Sequence, residues 1–269
     1  MIFDTHCHGY LEGLNHRQPQ VRENMCAANV RRSVQVGVDW ELSRMALDLA
    51  RDWGDQTWCS IGLHPTSCQD LPANSAQGWA DRLESLVHHN RDKAVAIGEI
   101  GLDYYHLTPG KETVQKRTQR EFFCAQAALS LRLDLPVIIH SRDAADETSN
   151  LLKECGIKRA VIHCFSEDLA FAQDLLAWSD EVYFSFSGIL TYKNAVAVQD
   201  AARNLPLERI LVETDAPFLV PQAARDSITI NEPAFVRHVM DYLKTLRSEP
   251  GDFVERQVWE NSNRFFRLV

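Results

Sequence analysis

Apolar residues along this chain follow two rhythms. Short, β-rich apolar runs of five to seven residues recur eight times: IFDTH (2–6), RSVQVGV (32–38), TWCSIGL (57–63), AVAIGEI (94–100), LPVIIH (135–140), RAVIHCF (159–165), VYFSFSG (182–188) and RILVETD (209–215). Most are continuous rather than alternating, the pattern of parallel strands buried on both faces. Between them the apolar positions fall three and four residues apart. In DWELSRMALDLARDWG, Leu42, Met45, Ala46, Leu49 and Ala50 form one stripe, and Gly54 supplies a stop. In SEDLAFAQDLLAW, Ser166 is the expected cap, with Glu167 and Asp168 suited to the first turn. REFFCAQAALSLR and DAADETSNLLKECG read the same way. Eight strands alternating with helices predict an α/β chain folded as a (β/α)8 TIM-type barrel, its site at the C-terminal ends of the strands. An open doubly wound sheet is the competitor, but the chain has neither a GxGxxG turn nor a Walker loop.

Length and composition narrow this only a little. The 269 residues, 45% hydrophobic, are ample for a real core. Barrels of ~250 residues are routinely one domain, and no linker, repeat or low-complexity tract interrupts the chain, so residues 1–269 are expected to form one domain. The net charge of −9 argues against coating nucleic acid through bulk electrostatics. It leaves room for an enzyme whose bound divalent ions supply local positive charge. No apolar stretch approaches the ~18 residues of a membrane span, and the N-terminus lacks the basic stretch of a secretory leader. The seven cysteines are scattered and odd in number, with no CxxC. A disulfide framework is not expected, and a reducing cytoplasm fits best. Cys7 and Cys164 adjoin histidines, but core packing is the commoner role of such cysteines.

The uncommon residues fall at the ends of the apolar runs. On a strand, positions i and i+2 face the same way, so His6 and His8 can converge on one spot. Glu99 ends the fourth strand, in GEIGLDYY, His140 ends the fifth, His163 ends the sixth, in VIHCF, and Asp215 ends the eighth. In a barrel these ends share one rim. Imidazole and carboxylate together suit Zn²⁺, Mn²⁺ or a related divalent ion. Six donors exceed the three usually supplied to a single catalytic zinc, so two ions are expected. Glu99, central in strand order, can bridge them. Asp215 can bind one ion and also accept a proton from the attacking water. Taken singly, each histidine has a plainer reading as a hydrogen-bonded core residue; their joint placement argues otherwise. Asp4 and Asp103 suit orienting neighbours or capping turns. Glu213, two residues before Asp215, suits orienting a ligand. His88 and His89 sit in a polar helical stretch, and His16, His106 and His238 have no comparable placement. Arg142 can contact phosphate or form a salt bridge behind the rim. No GxSxG elbow offers a nucleophilic serine.

Read in order, DTHCH, IGLHP, GEIGLDYY, PVIIHSRDA, HCF and LVETDAPFL resemble the TatD family of metal-dependent deoxyribonucleases, within the wider amidohydrolase-like barrels. ENSNRFFRL is similar to the usual C-terminal end. The resemblance covers nearly the whole chain. It implies a distorted (β/α)8 barrel that hydrolyses DNA phosphodiesters, often from the 3′ end. It carries over His6, His8, Glu99, His140, His163 and Asp215 as ligands of two divalent ions (Mg, Mn or Zn), with Glu99 bridging. His64, in GLHP, becomes a substrate contact beside the scissile phosphate. Two stretches depart from the pattern. After VETDAPFLVP, the segment QAARDSITINEP keeps Arg225, Asn231, Glu232 and Pro233, but an acid rather than a glycine follows the arginine. GYLEGLNHRQPQ, after DTHCH, is unlike the usual acidic version.

The expected function is therefore a two-metal DNase, acting 3′–5′ on single-stranded or frayed DNA ends, cytoplasmic and off the membrane. The alternative keeps the site and changes the bond, as a D-aminoacyl-tRNA deacylase or other amide or ester hydrolase. Phosphotriesterase-type relatives generally carry a carboxylated lysine where Glu99 stands, which favours the TatD side. An interaction protein built on an inactive barrel predicts lost ligands, and all six are present.

Overall fold

A computed structural model describes residues 1–268. Its strands are β1 (Ile2–Cys7), β2 (Val30–Val36), β3 (Thr57–Ile61), β4 (Ala94–Asp103), β5 (Val137–Arg142), β6 (Ala160–Ile162), β7 (Val182–Phe186) and β8 (Ile210–Val212). The helices are α1 (Gln18–Ala27), α2 (Trp40–Asp52), α3 (Pro65–Cys68), α4 (Ala76–His88), α5 (Glu112–Leu133), α6 (Ala145–Glu154), α7 (Leu169–Trp178), α8 (Val196–Asn204), α9 (Val236–Leu246) and α10 (Gly251–Phe266). The strands pair in sequence order, β1 through β8, all parallel. Backbone just past β8 closes most of the remaining gap: Asp215 N donates to His6 O (2.9 Å) and His8 N to Ala216 O (2.7 Å). The result is a nearly closed (β/α)8 barrel.

Strand alternation divides the apolar residues between two cores. Ile139, Ile162, Phe184 and Val212 face outward, against helical residues such as Leu83, Leu129, Leu151 and Leu175. Phe3, Val34, Ala96, Ile138, Val161, Tyr183 and Leu211 form a separate cluster joined by Phe265 and Phe266 of α10. That cluster draws on seven strands and one helix, as the inside of a barrel must. Phe3 stacks near Phe266 (5.8 Å between centroids) and Tyr183 near Phe265 (5.2 Å). Phe3 and Tyr183 are the second residues of their strands, so α10 plugs the N-terminal end. The opposite end, where the strands finish, stays open to the polar residues.

Several element boundaries differ from those the apolar runs predict. β4 continues to Asp103, so Glu99 lies within it, where the pairing with β5 slips between Ile97 and Ile100. Gly101 has φ +154, and a Cβ there would overlap His140 O, so only glycine lets β4 lie this close to β5. β5 also runs on past His140, to Arg142. β6 and β8 stop early, leaving His163 and Asp215 on the segments that follow, with Asp215 at φ +56. On α2 the buried positions are Ser43, Ala46, Leu47, Leu49 and Ala50, while Met45 is 43% exposed. The side chain of Asp39 accepts Leu42 N (2.7 Å) and sets that helix's start. α7 begins at Leu169 and is capped by Asp168, not Ser166: the Asp168 carboxylate accepts Phe171 N (2.9 Å).

Candidate metal centre

Six side chains from five strands or strand ends meet at the open mouth. His6 Nε2 stands 3.2 Å from His8 Nε2, 3.6 Å from Asp215 Oδ1 and 3.4 Å from Glu99 Oε2. His8 Nε2 is 3.4 Å from Asp215 Oδ1. Across the mouth, Glu99 Oε1 lies 2.9 Å from His140 Nδ1 and 2.8 Å from His163 Nε2, which are 3.4 Å from each other. One oxygen of Glu99 thus faces the His6–His8–Asp215 group and the other faces His140 and His163. Donors bonded at ~2.0–2.1 Å to a shared ion stand roughly 3–3.5 Å apart, the spacing found here. His6, His8 and Asp215 form one group fit to hold a metal ion, and His6, Glu99 and His163 another.

The far side of each ring decides which nitrogen is bare. His8 Nδ1 lies 2.8 Å from Val36 O, an acceptor only, so Nδ1 carries the proton and Nε2 offers a lone pair. His163 Nδ1 lies 3.3 Å from Glu213 Oε1, which also accepts Cys164 N (2.7 Å). His140 Nε2 lies 3.2 Å from Asp103 Oδ2, leaving Nδ1 for the centre. Asp103 is itself fixed by His106, through its backbone N–H (2.9 Å) and Nδ1 (2.8 Å), and by α5, where Gln119 bonds both backbone groups of Asp103. His64 differs. Thr66 N donates to its Nδ1 (3.2 Å), which puts the proton on Nε2, 3.3 Å from Glu99 Oε1. His64 is therefore built as a hydrogen-bond donor more than as a ligand.

Burial disfavours charge throughout, yet the imidazole–carboxylate contacts outweigh it at most groups. His163, His64 and His140 hold Glu99 well below the usual carboxylate range. His8, then His6 and His163, hold Asp215 low. Glu99 and Glu213 push His163 well up against its burial, Asp103 and Glu99 raise His140, and Asp215 raises His8. At His6 and His64 burial prevails and the rings shift down. Two ionised carboxylates among imidazole lone pairs, backed by Glu213 and Asp103, make a donor set that suits divalent cations. Asp4 lies beneath it. Burial pushes its carboxyl up to about 8, although it accepts Thr214 N (2.8 Å) and Thr214 Oγ1 (2.6 Å). It ties β1 to the segment that carries Asp215. Asn231 braces that segment from outside, donating to Thr214 O (2.9 Å) and Phe218 O (2.6 Å).

A family model described as TatD related DNase matches residues 3–267. The chain belongs to the TatD family. It is 33% identical to the uncharacterized metal-dependent hydrolase YabD of Bacillus subtilis over 270 residues, covering all of both chains. It is 35% identical to the uncharacterized metal-dependent hydrolase YcfH of Escherichia coli K12, over 99% of this chain and 96% of that one. Among solved structures, the TatD homologue YJJV of Escherichia coli K12 superposes with a TM-score of 0.84 at 28% identity, covering 100% of this chain and 98% of that one. Together with the donor set, these relatives make the protein a metal-dependent hydrolase of the TatD family.

The TatD barrel brings all six sequence-predicted donors together, with His64 beside Glu99. Arg142 ends β5 at the rim and is exposed, its guanidinium 4.1 Å from the Tyr105 ring, and it makes no ion pair among the described residues. Cys7 is buried core, and the Cys164 sulfur sits 3.3 Å from Ser187 Oγ. His106, without a predicted role, holds Asp103, and Asp103 in turn holds His140. The signal was local: in GLDYYH, Asp103 and His106 lie three residues apart, the spacing of a side-chain-capped turn. Among the described residues, no helix is long and apolar enough to cross a membrane.

Proposed function

We propose that this hydrolase cleaves phosphodiester bonds in DNA, working 3′–5′ on single-stranded or frayed ends with two divalent ions. The observation that carries the two-ion reading is the split at Glu99, one oxygen toward His6 and the other toward His140 and His163. His6, His8 and Asp215 would hold one ion, His140 and His163 the other, and Glu99 both. When bound, such a pair lowers the pKa of water and draws charge from phosphoryl oxygens.

The chain's own residues supply the rest. The Asp215 side chain is 15% exposed, against 4% for Glu99 and 1% for Glu213 and Asp103. Asp215 is thus the carboxylate that reaches solvent, and its contacts with His8, His6 and His163 keep it ionised, with an oxygen turned to the mouth where a proton can be taken up. His64, shifted down by burial, carries its Nε2 proton 3.3 Å from Glu99 Oε1, where a phosphoryl oxygen entering the mouth can share it. Arg142 offers an exposed cation at the rim.

The preference for single strands follows from two exposed aromatic rings on opposite sides. Phe218 is 54% exposed, its ring 6.2 Å from that of His8 on β1. Tyr105 is 60% exposed and reaches His140 of β5 through His106 and Asp103. Unpaired bases stack on such faces, and paired ones do not. A net charge of −9 gives little grip on a long duplex.

The test is chelation, reloading with Mg²⁺, Mn²⁺ or Zn²⁺, and incubation with 3′- and 5′-labelled single- and double-stranded DNA. The expected result is stepwise shortening of 5′-labelled single strands, with metal content approaching two ions per chain. Equal rates on blunt duplex would overturn the single-strand preference. A metal content fixed at one would overturn the two-ion reading. DNA left intact while D-aminoacyl-tRNA is deacylated would replace the nuclease reading altogether.

A further inference from the structure

Far from the metal mouth, two thiols face each other on the outer helices. Cys155 Sγ lies 3.6 Å from Cys124 Sγ, and both residues are partly exposed. Among the described residues no other two thiols come this close: Cys7, Cys59 and Cys68 are buried, Cys26 stands alone on the surface, and Cys164 contacts Ser187. Cys124 sits within α5, and Cys155 is the residue that ends α6. Gly156 follows at φ +71 with open space around it, so the turn carrying Cys155 has room to move. A disulfide needs about 2.05 Å between sulfurs, a closure of roughly 1.5 Å.

We propose that Cys124 and Cys155 are a redox-modification site, closing into a reversible intramolecular disulfide when the protein meets hydrogen peroxide. The chemistry of the pair is asymmetric. Burial pushes the Cys59 and Cys68 thiols up to about 12. Cys124 instead lies at about 7, lowered by the hydrogen bond from the Cys155 thiol and by the Arg120 guanidinium one turn before it. Arg120 is held at that position by Glu154, beside Cys155, at 2.5 Å. Cys124, the sulfur that accepts the Cys155 thiol's hydrogen bond and has Arg120 one turn away, is the attacking sulfur, and Cys155 resolves. The Cys124 thiolate attacks one peroxide oxygen; the O–O bond breaks, the sulfur becomes a sulfenic acid and hydroxide leaves. The Cys155 sulfur then attacks the Cys124 sulfur; the S–O bond breaks and water leaves. Two thiols and one hydrogen peroxide give one disulfide and two waters, and a dithiol reductant reverses the change. Such pairs suit a reducing compartment because they form transiently. The cross-link joins α5 to α6, the helices on either side of β5 in sequence, without touching a metal donor.

The test uses the full folded chain. It is exposed to graded hydrogen peroxide, quenched with N-ethylmaleimide, and read by intact mass and peptide mapping. The expected product is a monomer short of two hydrogens and carrying two fewer N-ethylmaleimide groups than the reduced chain, mapping to a Cys124–Cys155 cross-link and restored by dithiothreitol. Cys155→Ser should strand a sulfenic acid on Cys124, trapped by dimedone. Cys124→Ser should form neither product at the same peroxide concentration. The oxidised parent should melt several degrees above the reduced form, because the cross-link restricts the unfolded chain. All seven thiols still alkylated, a cross-link mapping elsewhere, or a dimedone adduct at Cys155 in Cys124→Ser would each overturn the assignment.

Discussion

Replacing Asp215 with asparagine separates the two roles proposed for it, metal donor and proton acceptor. Asparagine keeps the shape and an oxygen where Oδ1 now stands, 3.4 Å from His8 Nε2 and 3.6 Å from His6 Nε2. The backbone should not object. Asp215 sits at φ +56, a region asparagine and aspartate enter more readily than other residues. The bonds that fix the segment, Asp215 N to His6 O and Phe218 N to Asp215 O, are main-chain bonds (both 2.9 Å). What is lost is the ability to take a proton. Losing a general base costs about 10²–10⁴ in rate, or roughly 3–5 kcal/mol of barrier at ~1.4 kcal/mol per decade. Asp215→Asn should therefore be folded, metal-loaded at saturating metal, and slower in kcat by that factor. The assay is steady-state cleavage of a single-stranded oligonucleotide, alongside circular dichroism and metal content. Glu213→Gln is the companion variant. Glu213 contacts His163 and Cys164 N from behind and is shut off from solvent, so its loss should cost about 10–100-fold, less than the loss of a proton acceptor. An Asp215→Asn enzyme that is loaded, folded and nearly as fast as the parent would refute the proton-acceptor role.

Three further outcomes follow from other parts of the molecule. Asp103→Asn should weaken metal binding by about 10–100-fold, because the carboxylate that fixes His140 Nε2 is gone; competition against a chromogenic chelator measures it, and unchanged affinity refutes the orienting role. Tyr105→Ala and Phe218→Ala should each raise KM for single-stranded DNA by roughly 5–150-fold, the value of ~1–3 kcal/mol per stacked base, while turnover of a small phosphodiester holds; equal losses on both substrates would mean general damage. Glu255, gripped by the Met1 amine (2.8 Å), Arg237 (2.8 Å) and Lys244 (2.5 Å), is held at about 2 against its burial. A carboxyl held below its usual 4.5 stabilises the fold fully above that value, and the contribution fades as pH falls toward 2. Urea midpoints of the parent and of Glu255→Gln should then differ most near pH 6 and converge by pH 2–3; a constant gap would contradict the linkage.

The barrel is legible in the sequence because burying both faces of a parallel strand demands continuous apolar runs, and all eight runs became strands. Which end of each run bears the chemistry is legible for the same reason, since βα segments share one rim. The exact stopping points are not. Apolarity reports burial, whereas a strand ends where its hydrogen-bonding stops. β8 stops at Val212 because the next residues turn to pair with β1, and Ile-Leu-Val-Glu-Thr-Asp carries no mark of that. β4 continues past Glu99 because glycines at 98 and 101 let it lie against β5, a contact made with residues some forty positions away. Met45 stands off the buried stripe of α2, which takes in Leu47 and the polar Ser43 instead, and an apolar pattern does not single out a buried serine.

That these six residues would converge could be read from sequence because they are rare residues at rim positions, but the division of labour among them could not. It depends on what stands behind each ring, and those partners come from unrelated parts of the chain: Val36 for His8, Glu213 for His163, Asp103 for His140. His64 shows the consequence. By residue type it is one more histidine at a strand end, eligible to bind metal with Glu99 and His140. The backbone N–H of Thr66 occupies its Nδ1 and so commits its proton to Nε2. A ring protonated there gives a hydrogen bond and cannot give a lone pair from the same atom. His64 is thereby set apart from the histidines it touches and suited to the substrate side of the site. Contacts to the backbone N–H and hydroxyl of Thr66, two residues along its own chain in the turn into α3, make that distinction.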